Sequence, residues 1–88
     1  MIYAIIPFQR SDREKHRRKV EALDFPVYTH EAPIAYFASY NGTTRELAET
    51  VGLVGGESGT GIVIPVSNYF GYAAKDLWEW MRIHENDT

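Results

Sequence analysis

The sequence predicts an α+β domain: a split βαβ sandwich with element order β-α-β-β-α-β and a closing helix, in which two helices cover one face of a four-stranded antiparallel sheet. Three observations carry this reading. Four short stretches rich in β-branched and aromatic side chains are separated by two segments that open on helix-capping patterns, and an amphipathic stretch closes the chain. A chain of 88 residues, 44% of them hydrophobic, has room for one core, so residues 1–88 are read as one domain.

The first strand spans residues 2 to 8. Both alternating sets, Ile2/Ala4/Ile6 and Tyr3/Ile5/Phe8, are apolar, as in a central strand buried on both faces. Ser11-Asp12-Arg13-Glu14 then reads as a capping box opening a helix from about Asp12 to Leu23, with His16, Val20 and Leu23 at helical spacing. Phe25 to His30 and Ile34 to Tyr40 form a hairpin of two strands. Asn41-Gly42 ends the second of these, and Thr43-Thr44-Arg45-Glu46 caps a short helix carrying Leu47, Ala48 and Val51. The glycine-rich run from Gly55 to Gly61 is a flexible connection. Ile62 to Val66 is the fourth strand, and Pro65 places it at a sheet edge because proline removes a ladder donor. Ala73 to His84 is an amphipathic helix with Leu77, Trp80, Met81 and His84 on one stripe and Trp78 beside it, and residues 85 to 88 fray. Two helices on one face leave the other face bare. The doubly apolar first strand and the Tyr36/Ala38/Tyr40 alternation against Phe37 therefore require cover from a second copy, the final helix or a ligand.

The opening MIYAII, the charged first helix, IAYFASYNGT running into TTRELAETV, and IVIPV followed by YFGYAAKDLWEWM together resemble the SinR-like small ferredoxin-like proteins. These are relatives of the small nuclease-fold subunit of CRISPR adaptation complexes. The resemblance spans nearly the whole chain as a pattern and implies a ferredoxin-like fold, a homodimer with packed sheets, and a link to nucleic-acid or mobile-element biology. The active nuclease relatives end their first strand on a metal-binding aspartate, whereas this chain reads Ile6-Pro7-Phe8-Gln9 there and has its first acid at Asp12. Metal-dependent cleavage needs convergent carboxylates, and Asp12 alone is a poor substitute.

Composition bounds the remaining classes. The chain has no cysteine, which excludes disulfides, thiolate metal sites and thiol nucleophiles. The start lacks the pattern of a secretory signal, and no apolar run approaches the roughly 18 residues that span a bilayer. A cytoplasmic protein without membrane contact is expected. The net charge of −3 hides an asymmetry: residues 10 to 19 hold six of the nine basic side chains and a local balance of +4, leaving −7 for the rest. Arg10, Arg13, Lys15, Arg17, Arg18 and Lys19 form a candidate basic patch for a phosphate backbone or an acidic partner. The plainer reading is a solvated helix face.

The run Gly56-Glu57-Ser58-Gly59-Thr60-Gly61 imitates the start of a phosphate-binding loop but is followed by Ile62 and Val63, where that motif requires Lys and Ser or Thr, and leads into a strand. It reads as a mobile turn. His16, His30 and His84 show no zinc spacing, and Ser39, Ser58 and Ser67 lack the elbow of a nucleophile, so no catalytic residue, metal site or cofactor is assigned. The aromatics Tyr36, Tyr40, Tyr69, Phe70, Tyr72 and Trp78 are candidate interface residues, since strand and loop aromatics serve both cores and hot spots. The leading expectation is a small non-catalytic interaction module, dimeric, that binds a protein or nucleoprotein complex as an accessory or inhibitory protein of phage or mobile-element type, modulating a host defence system. The alternatives are direct nucleic-acid binding through the basic first helix, and a degenerate metal-dependent nuclease.

Overall fold

The computed structural model describes residues 1–31, 34–68, 71, 73 and 75–85. They form β1 (Ile2–Pro7), a 3₁₀ turn (Arg10–Asp12), α1 (Arg13–Glu21), β2 (Val27–Glu31), β3 (Ile34–Ser39), α2 (Thr44–Thr50), β4 (Gly61–Val66) and α3 (Lys75–His84). The four strands make one open antiparallel sheet in the order β2-β3-β1-β4. β1 is central, as its two apolar faces demand, and the strand carrying Pro65 is at an edge, as expected.

Two bonds fix the phase of the ladder. Phe8 N–H donates to the Thr60 carbonyl at 3.1 Å, and Tyr40 N–H donates to the Met1 carbonyl at 3.0 Å. Antiparallel partners alternate between bonded and non-bonded pairs, so the pairs Ile2–Val66, Ala4–Ile64 and Ile6–Ile62 exchange bonds across β1 and β4. Tyr3–Ala38 and Ile5–Tyr36 do so across β1 and β3. Pro65 and Val63 lie on the opposite phase, with their backbone groups directed away from β1, and proline there costs the ladder nothing.

The two faces of the sheet carry separate cores. On the first, Tyr3, Ile5, Tyr36 and Ala38 pack with Val20 of α1 and with Leu47 and Val51, which belong to α2 and its C-terminal cap. On the second, Ile2 packs with Leu77 and Met81 of α3, flanked by Tyr28, Phe37, Val66, Trp78 and Trp80. Of the three covers that the bare face could take, the final helix supplies one. A hydrogen bond of 2.9 Å from the Tyr28 hydroxyl to Asp76 Oδ2 pins the start of α3 to β2. Burying each Leu, Ile or Met of these clusters contributes about 1.5–3 kcal/mol.

Local details depart from expectation in three places. Phe8, expected in the doubly buried first strand, lies past its end at Pro7 and is exposed, because the chain turns there into the 3₁₀ segment. The box at Ser11 and Glu14 does not form: the chain enters α1 through the 3₁₀ turn, and Asp12 sits at the N-cap without capping it. Its carboxylate is taken by Thr60 N–H at 3.2 Å instead. The Thr43 box does form, with Glu46 N–H donating to Thr43 Oγ1 at 3.1 Å and Thr43 N–H donating to Glu46 Oε1 at 2.8 Å. The third departure is the glycine-rich connection, which is tied down by hydrogen bonds of its own. Ser58 is buried and donates its hydroxyl to the Val51 carbonyl at 2.7 Å, while its own N–H reaches the Gly52 carbonyl at 2.9 Å.

Candidate binding surface

The end of β1 sets up the most distinctive surface. Pro7 closes the strand, and the 3₁₀ turn that follows swings Arg10 back beside the first turn of α1. Between this corner and the β2–β3 end lies a cleft of about 420 Å³ lined by Pro7, Phe8, Gln9, Arg10, Arg13, Glu31 and Ile34. Phe8 is 64% exposed, an unusual state for a phenylalanine. Arg13 donates weakly to the Glu31 carbonyl at 3.5 Å. The cleft therefore offers an apolar ring and wall beside two guanidinium groups.

The rest of the basic patch is largely neutralised within the chain. Arg17 pairs with Glu31 at 3.3 Å and approaches Glu14 at 4.0 Å, Lys15 meets Asp12 at 4.0 Å, and Lys19 meets Glu57 at 3.4 Å. The bond from Arg17 to Glu31, with the Coulombic attraction that accompanies it, holds the guanidinium above its ordinary value. Among the described residues, Arg10 and Arg18 enter no ion pair. Two acids from outside the basic segment, Glu31 and Glu57, thus pair with the basic helix, a pairing between distant segments that composition does not disclose.

Of the candidate interface aromatics, Tyr36 lies in the first core at 1% exposure, which removes its ring from any partner's reach. Tyr40 is half-buried, with its ring 5.0 Å from Phe25 and 6.1 Å from Tyr3, so it serves the core edge. Trp78 is half-buried against the second core. Tyr69, Phe70 and Tyr72 lie outside the described residues.

A buried polar knot joins α1 to the glycine-rich loop. Asp12 receives Thr60 N–H, and the fully buried His16 brings Nε2 to 3.3 Å from the Thr60 carbonyl. That carbonyl can only accept, so Nε2 carries the proton, and Nδ1 is buried without a protein partner. Burial pushes the His16 imidazole below its ordinary value, against smaller opposing effects of Thr60 and Asp12. No group of three or more His, Asp or Glu side chains among the described residues is arranged to hold a metal. The knot's chemistry is structural: Asp12 and His16 spend their hydrogen bonds on the loop. Sequence reasoning missed it because residues 12 and 60 lie 48 positions apart.

No helix among the described residues is long and apolar enough to cross a membrane. No protein-family model, no curated protein and no solved structure matches this chain.

Proposed function

We propose that this protein is a non-catalytic interaction module that captures an acidic, apolar segment of a partner protein in the cleft at the end of β1. The observation that carries the reading is the exposed Phe8 ring beside Arg10 and Arg13 around one concave surface. An aromatic ring flanked by arginine is the composition of an interface hot spot. The module acts by occupancy, as an accessory or inhibitory protein does. The scaffold proposed for it is ferredoxin-like, a reading supported by a four-stranded open sheet in which every neighbouring pair is antiparallel.

Direct nucleic-acid binding is the weaker reading, because Lys15, Arg17 and Lys19 are occupied by carboxylates that a phosphate backbone would have to displace. The test is selection of short peptides from a display library on the purified protein, followed by fluorescence anisotropy of the enriched sequences. Peptides combining acidic and large apolar residues are expected, with binding weakened about tenfold or more by Phe8→Ala and by Arg10→Glu, and unchanged by Arg18→Glu. A selection without that enrichment overturns the proposal. Binding of a single-stranded oligonucleotide that falls steeply between about 50 and 200 mM salt would put nucleic acid in its place.

A further inference from the structure

We infer that β4 is a homodimerisation edge, pairing antiparallel with β4 of a second copy about a two-fold axis centred on Val63. This rests on the sheet's hydrogen-bond phase and is independent of the cleft. Gly61, Val63 and Pro65 direct their backbone groups away from β1, on the side where no described strand pairs with β4. An unpaired edge is a template for another strand, and proteins that stay single guard it with charge, bulges or cover.

The two edges of this sheet differ in that respect. β2 ends on Glu31, which takes Arg17 at 3.3 Å. β4 reads Gly-Ile-Val-Ile-Pro-Val, without one charged residue. Its single guard is Pro65, and the two-fold register confines it to the two ends of the new ladder, away from the central pair. With Val63 opposite Val63 of the second copy, the two valines exchange a pair of N–H···O=C bonds. Gly61 N–H of each copy then donates to the Pro65 carbonyl of the other, a group that proline retains, so four bonds form, and the Gly61 carbonyl opposite Pro65 at each end of the ladder is left to water. The same register sets Ile62 opposite Ile64 of the second copy on the second sheet face. These residues are 43% and 41% exposed. Two Ile–Ile cross-strand pairs would cover this apolar strip, and such pairs stabilise antiparallel sheets. A second copy is the occupant that fits, because a two-fold operation makes the edge complementary to itself.

The interface is small, so the equilibrium should shift with concentration. Sedimentation velocity from about 10 μM to about 1 mM covers the range in which contacts of this size associate. A monomer–dimer equilibrium is expected, with amide exchange at Gly61 and Val63 slowing as dimer accumulates. Val63→Pro removes the two central bonds without breaking a bond inside the chain, and should weaken dimerisation about tenfold or more. Ile62→Lys, at an exposed side chain, should do the same and provides the readout if the proline variant does not fold. Circular dichroism and the thermal midpoint report whether each variant keeps its fold. A protein that sediments as a monomer throughout, or a dimer that the folded variants leave intact, overturns the inference.

Discussion

Two tyrosine hydroxyls in the first core have opposite circumstances. Tyr3 donates to the Gly42 carbonyl at 2.6 Å, tying β1 to the turn that opens α2. Tyr36 keeps its hydroxyl buried without a protein partner, and desolvation holds its phenol above the ordinary value. A made hydrogen bond contributes about 1 kcal/mol net, whereas a buried unmade one costs about 1–3 kcal/mol. Tyr3→Phe should therefore lower stability by about 1 kcal/mol, and Tyr36→Phe should leave it unchanged or raise it by about as much, read from urea unfolding midpoints. The sequence placed both rings on strands. It could not say which hydroxyl finds a carbonyl, because the Tyr3 partner lies 39 residues away.

At the scale of elements, α2 and the loop after it are held by local chemistry of different legibility. The helix has seven residues, too few to persist without caps and packing. Thr43→Ala removes the acceptor for Glu46 N–H and should cost about 1 kcal/mol in the thermal or urea transition. That box was readable because all its atoms come from four consecutive residues. The loop from Gly52 to Gly61 was readable only as glycine-rich. Gly52, Gly55, Gly56 and Gly59 have positive φ, and a Cβ at Gly59 would run into the Asp12 carboxylate. Gly59→Ala should cost about 2 kcal/mol or more through backbone strain, beyond the loss of the Asp12–Thr60 bond. A matching rise in amide exchange over 56–60 would locate the damage. Gly55→Ala, whose Cβ meets open space, should show only the backbone part.

The whole molecule is where protonation is felt, because the His16 knot joins α1, the loop and the start of β4. Burial depresses the folded imidazole below its ordinary 6.5, so below that pH the unfolded chain binds a proton more readily than the folded one. This contribution is fully present above pH 6.5 and is lost as the pH falls toward the folded value. Glu46 acts in a separate, more acidic window. Bonds from Thr43 hold its carboxyl below the ordinary value, and the support is lost as the pH falls through the carboxylate range. Urea midpoints should fall in two stages on acidification, and His16→Gln, which keeps a donor for Thr60, should abolish the upper stage alone. An upper stage that survives in His16→Gln would assign it to another group.

Local pattern determined the element order, the central first strand, the proline-marked edge, the Thr43 cap and the stripe of α3, because each depends on residues within a few positions of one another. The tertiary structure alone decided the rest. It replaced the expected Ser11–Glu14 capping box with a 3₁₀ entry, made Asp12 a latch on Thr60 and sank Tyr36 into the core. It paired the basic helix with distant acids, laid α3 on the second face, and left Phe8 in solvent at the mouth of a cleft. The division has one physical cause. Periodicity and capping report what a segment prefers in isolation, whereas the partner of a charge, a hydroxyl or an apolar face is chosen by which distant segment the fold brings within reach.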